Sequence, residues 1–166
     1  MRKPRLFIAS SAESLPIAEA VNVNLDHDFE VTIWKNGTFK LSSSTIDDLV
    51  EKSSTVDFAL FIFAPDDITS IRSRKEHVVR DNVIFEMGLF VGAIGKSRSF
   101  ILKPRNVEMH LPTDLLGVTP ADYEATRSSV THTRNARSQF CQGCSRKISE
   151  EMHFAIALNR TVARTR

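Results

Sequence analysis

The sequence predicts an α/β fold, a mostly parallel central sheet flanked by helices on both faces. Two observations carry this. Short apolar, β-rich runs (RLFIAS, FEVTIW, DFALFIFA, SFILKP) alternate along the chain with segments of helical periodicity. Most of these runs are continuously apolar, as expected of strands buried on both faces, and parallel strands need crossover helices between them. Open sheets of this kind bind ligands at the carboxyl ends of their strands. That rule places Ser10 and Ser11, Trp34 and its following loop, and Pro65-Asp66-Asp67 along one rim.

The elements follow in order. Arg5 to Ser10 reads as a buried strand opening into a loop. Leu15, Ala18, Val21 and Leu25 then recur at helical spacing, and Pro16 suits a first turn. Phe29 to Trp34 alternates and is β-rich, a second strand. KNGTFKLSSST is a polar, glycine-containing loop, and TIDDLVEKSST a second helix. Phe58 to Ala64 forms a third strand, followed by a charged loop, ITSIRSRKEHVVR. VIFEMGLFVGAIG is a helix apolar on nearly all sides, hence expected to be buried, with Asp81 as its N-cap. Ser99 to Pro104 is a fourth strand. LPTDLLGVTPADYEA is irregular with a short edge strand. A last helix is expected over Gln139 to Leu158, with Phe140, Cys144, Ile148, Met152 and Ile156 on one face.

At 166 residues, 42% hydrophobic and 25% charged, the chain holds one domain with a proper core. The organisation expected is a domain over residues 1–125, then a basic linker and C-terminal helix over 126–166, packing on or extending it. The net charge of +2 hides an asymmetry: residues 1–123 carry 14 Lys+Arg against 17 Asp+Glu, and residues 124–166 carry 8 against 3. The basic tail lacks aromatics spaced for base stacking, so nucleic acid is not an expected partner. Two cysteines do not make a disulfide scaffold and favour a reducing, cytoplasmic setting. The N-terminal apolar run is too short for a signal peptide, and no run reaches the length of a membrane span. No GxGxxG or Walker loop is present, which argues against an ordinary dehydrogenase or P-loop enzyme.

Glu86 is the only ionisable side chain between Val83 and Gly95. None of its same-face neighbours, Asn82, Val83, Leu89 and Phe90, is a cation. It is either a buried glutamate hydrogen-bonded to a neighbouring loop or a carboxylate put to use at a pocket edge. Ser10 and Ser11 lie where a strand turns into a helix; they either let backbone N–H groups approach an anion or simply cap the helix. Trp34 and Phe39 flank the loop after the second strand, and either stack on a nucleobase or nicotinamide ring or pack in the core. Arg80 either contacts a phosphate or pairs with a surface acid. Cys141-Gln142-Gly143-Cys144 is a lone CxxC: zinc needs two more ligands, and His132 and His153 lack the spacing, so no metal is expected.

Five segments, LFIASSAESLPIAEAV, VTIWKNGTFKLSSSTIDDLVE, DFALFIFAPDD, RDNVIFEMGLFVG and ILKPRNVEMHLPTDLLGVTPADY, together and in this order resemble the TIR-like domain of bacterial antiphage effectors, the TIR–STING and Pycsar TIR proteins. The resemblance covers roughly residues 5 to 125. It implies a flavodoxin-like fold and an enzyme that cleaves NAD⁺ at the nicotinamide–ribose bond, with NAD⁺ as substrate and no cofactor. Glu86 matches the family's catalytic glutamate. Trp34 to Ser44 resembles the loop that borders the active site and joins neighbouring subunits, and Ser10-Ser11 the first loop facing the dinucleotide; Trp34, Phe39 and Arg80 are the remaining residues expected at NAD⁺. The family also implies self-association into an oligomer or filament and an upstream cyclic-nucleotide sensor, as a domain or a separate protein. The chain departs from it in the tail, where neither a sensor nor a membrane segment follows. Two other readings compete: a nucleoside 2-deoxyribosyltransferase-like enzyme, which also sets a glutamate against an N-glycosidic bond, and a non-enzymatic scaffolding domain.

Overall fold

The computed structural model describes residues 2–34, 45–71, 73–115, 118, 120–123 and 148–150. Five strands form one sheet: β1 (Arg5–Ala9), β2 (Glu30–Trp34), β3 (Phe58–Ile62), β6 (Ser99–Pro104) and β7 (Ala121–Tyr123). Their order is β2-β1-β3-β6-β7, and every pairing is parallel. The predicted parallel sheet is therefore present, with the short edge strand at one side. The order reverses direction between β1 and β3, which makes their carboxyl ends the switch point where open sheets form a ligand crevice.

Side-chain alternation along the strands divides the core in two. Leu6, Ile8, Leu60 and Ile62 point to the face covered by α1 (Leu15–Leu25), where Ala18, Val21 and Leu25 meet them. Phe7, Ala9, Phe61 and Phe63 point to the other face, against Leu49 of α2 (Thr45–Thr55) and Val83, Met87 and Phe90 of α3 (Asp81–Ile94). Every residue of β3 is buried, as its unbroken apolar run requires. Burying each of these large side chains stabilises the fold by about 1.5–3 kcal/mol.

Helix ends follow local chemistry. Asp47 and Asp48 occupy the first turn of α2 and Lys52 the last, in accord with the helix dipole. The hydroxyls of Ser53, Ser54 and Thr55 donate back to the carbonyls of Val50, Glu51 and Lys52 at 2.7–3.0 Å and close the helix. Gly95 ends α3 with φ of 87°, a left-handed conformation that glycine adopts without strain.

Three expectations need correction. The charged segment after β3 is not a loop but an antiparallel hairpin, β4 (Asp67–Ile71) with β5 (Arg74–Val78), paired from Asp67 opposite Val78 to Ile71 opposite Arg74. A two-stranded ribbon outside the main sheet has no face to bury, so its sequence shows no apolar alternation; Ile68 stays 64% exposed. Second, α3 is not buried all round. Only Val83, Glu86, Met87 and Phe90 are buried, a single inward stripe, while Phe85 is 54% exposed. Third, Asp81 is not the N-cap. Arg80 holds that position, and the Asp81 carboxylate accepts the N–H of Asn82 at 2.8 Å within the first turn.

The last helix, Cys141 and Cys144, His132 and His153, and the loop containing Phe39 lie outside the described residues, apart from 148–150. These three are helical, and Ile148 is buried in the α1-side cluster. Among the described residues no helix is long and apolar enough to cross a membrane.

Candidate active site

The site is built from the carboxyl rim of the sheet and the start of α3. Glu86 sits on the inward stripe of α3 and is only 2% exposed. Val83 and Met87 flank it on that stripe, and Phe90 follows one turn later, all packed against Phe7 and Phe61. A carboxylate placed so is shielded from water, and its field on a nearby charge is correspondingly strong.

Trp34 ends β2 and pairs in register with Ala9. Its ring lies 6.0 Å from that of Phe7, tilted by 38°, and the side chain packs on the same side of the sheet as Glu86's helix. The structure thus brings Glu86 and Trp34 to one face. Phe39 falls outside the described residues.

Ser10 and Ser11 continue β1 into the turn before α1, and both are buried. The Ser10 hydroxyl meets no hydrogen-bond partner among the described residues. The Ser11 hydroxyl donates to the Asp66 carboxylate and accepts the backbone N–H of Ser14 at 3.2 Å. Ser14 adds a second, longer contact to the same Asp66 oxygen at 3.5 Å. The chain's own carboxylate therefore stands at the N-terminus of α1, and the loop after β3 is tied to the loop after β1.

Arg80 bridges the same region. Its Nη2 meets Glu13 at 3.0 Å, and its Nε meets Asp67 at 2.8 Å. Asp67 first, and then Glu13, raise the guanidinium pKa above its ordinary value. In return Glu13 is held below its ordinary carboxylate value, chiefly by its own backbone N–H, with the Arg80 charge contributing. Of the two open readings for Arg80, the ion pair with surface acids is the geometry present.

Sequence reasoning set Asp66 on the rim without giving it a role, and missed Glu13. The pair of acids directly after a wholly apolar strand is the signal that identifies Asp66, because the strand end fixes where they emerge. Nothing in the sequence signals the reach of Glu13 across to Arg80. Tyr123, at the end of β7, has its phenol pushed up to about 12 by burial and, secondarily, by the Asp66 charge. Among the described residues no group of three or more His, Cys, Asp or Glu side chains could hold a metal ion.

A parallel sheet in this order, flanked by helices on both faces, defines a flavodoxin-like α/β domain. A diflavin flavoprotein A3 from Nostoc sp. superimposes with a TM-score of 0.52 over 96% of this chain and 99% of that one, at 12% identity, a likeness of fold alone. The chain belongs to the CAP12/Pycsar effector TIR-domain family, whose model matches residues 5–125. It is 47% identical over 124 residues to the Pycsar effector protein PaPycTIR of Pseudomonas aeruginosa, covering 74% of this chain and 40% of that protein. It is 40% identical over 124 residues to CD-NTase-associated protein 12 of Flavobacterium daejeonense, covering 75% and 39%. The chain thus spans about two fifths of the length of these curated relatives.

Proposed function

We propose that the chain is the catalytic domain of an antiphage effector that hydrolyses NAD⁺ to nicotinamide and ADP-ribose, with Glu86 as the catalytic residue. The observation that carries this reading is the Glu86 carboxylate, 2% exposed on the inward stripe of α3; the family resemblance is what suggests it for the catalytic role.

The chemistry suits such a group. The bond between ribose C1′ and the nicotinamide nitrogen breaks with its electron pair going to the ring, which neutralises the ring cation. Nicotinamide therefore leaves without protonation, and the barrier lies in the oxocarbenium-like ribose left behind. A fixed, water-shielded carboxylate stabilises that positive charge and holds the ribose hydroxyls. Water then adds to C1′ and releases a proton to solvent, giving ADP-ribose. The apolar walls of Phe7, Met87 and Phe90 strengthen the field of Glu86 by keeping water out.

Activity in this reading depends on assembly, set off through a cyclic-nucleotide sensor, as a domain or a separate protein. Ile46 and Val50 on α2 and Phe85 on α3 are each more than half exposed, which leaves apolar surface for a neighbouring copy. The test is nicotinamide release by wild type and by Glu86→Gln. The variant should fold, by circular dichroism and thermal melting, and lose at least about 10²-fold in rate. A folded Glu86→Gln protein working at the parental rate contradicts the reading.

A further inference from the structure

At the switch point between β1 and β3, phosphate-binding folds present free backbone N–H groups at a helix N-terminus. Here that place is taken. One oxygen of Asp66 receives the Ser11 hydroxyl and, at 3.5 Å, the Ser14 hydroxyl, and Ser14's own N–H is used on Ser11. Glu13 and Asp67 add two more carboxylates around the crevice, and Arg80, the cation they share, is committed to both. A phosphate entering this turn meets fixed negative charge, and the Ser14 N–H and the Ser11 and Ser14 hydroxyls are already in use. What remains available is of the opposite kind. The second oxygen of Asp66 is bonded to none of the described residues. The Ser10 hydroxyl, buried at the same turn, also has no partner among them. Together they offer acceptors, and one hydroxyl, to a ligand that brings its own donors.

We propose that Asp66 is the specificity residue of this crevice, rejecting phosphate and accepting the hydroxyls of a ribose diol. A carboxylate accepting sugar hydroxyls is the physical counterpart of a helix N-terminus accepting phosphate, and Asp66 sets the crevice to the first. Resting on the NAD⁺ reading above, this orients the dinucleotide with a ribose at the Ser10–Asp66 crevice and its pyrophosphate elsewhere.

The experiment is a titration of the full chain followed by backbone amide NMR shifts at Ser11, Ser14 and Asp66. The probes are ADP-ribose and inorganic pyrophosphate. ADP-ribose is expected to move these signals, and pyrophosphate to leave them still. Asp66→Asn, which keeps the shape and removes the charge, is expected to weaken ADP-ribose about tenfold and to let pyrophosphate shift the Ser11 and Ser14 amides. Pyrophosphate shifting the turn of the wild-type chain overturns the proposal, and needs no variant to do so. So does an absence of ADP-ribose shifts at the turn, or a folded Asp66→Asn protein that treats both probes as wild type does. Binding is read separately from turnover. A chain that releases no nicotinamide yet shows the predicted shifts loses the NADase reading and keeps this one; a chain that cleaves NAD⁺ but takes pyrophosphate at the turn loses only this one.

Discussion

Phe7 on β1 and Phe90 on α3 stack with ring centroids 4.3 Å apart and planes 22° from parallel. This contact seats α3 on the sheet, and Glu86 lies one helical turn before Phe90 on the same buried stripe. The stability of the fold and the placement of the carboxylate share one support.

That support gives a contrast within a single helix. Phe90→Ala is expected to cost about 3–5 kcal/mol, since the ring is fully buried and its removal leaves a cavity. Phe85→Ala, on the outer face, is expected to change stability by no more than about 0.5 kcal/mol. Denaturant unfolding of the two variants measures both, and equal costs contradict the one-stripe placement of α3.

Tyr123 is the sole tyrosine, so its ionisation is read directly from tyrosinate absorbance. Burial and the Asp66 charge raise its pKa from 10.0 to about 12. A raised pKa contributes stability that is fully present below the unfolded value and is lost as pH rises through the folded one. The native chain should therefore titrate near 12, with stability declining across the window from 10 to 12. A midpoint near 10 in the folded protein contradicts the buried setting.

Glu13 gives the opposite sign. Its carboxyl is held below its ordinary value of 4.5, so its stabilising effect is present above that pH and is lost on acidification below it. Amide signals of the Ser11–Ser14 turn followed from neutral pH downward should stay unchanged until below about 4.5. Loss of the turn's native signals well above that pH counts against the Glu13–Arg80 tie.

Arg80→Gln separates two roles. Its ion pairs are solvent-accessible, with side chains 34% exposed against 56% and 41%, and exposed pairs of this kind contribute little to stability. Thermal melting should show little or no loss. A much larger loss contradicts a rim contact and points to a structural keystone.

The sheet was legible because its central strands β1 and β3 are buried on both faces, which leaves long apolar runs such as Phe58 to Ala64 that no surface loop carries. Glu86 was legible for the same reason, as a charge where the pattern admits none. The hairpin was not, because β4 and β5 bury neither face and their charged side chains read as loop. The outer face of α3 was misread because Phe85, Gly88 and Gly92 are apolar or small, and composition does not distinguish them from core. The Ser11–Asp66 tie joins positions 55 residues apart, and no local pattern encodes a contact of that span.

The most direct test of the central claim is nicotinamide release from NAD⁺ measured across a series of protein concentrations, with Glu86→Gln in parallel. Release should rise more steeply than in proportion to concentration and fall at least about 10²-fold in the variant. Release equal in the two proteins, or none from wild type even when the chain is cross-linked into oligomers, contradicts that claim.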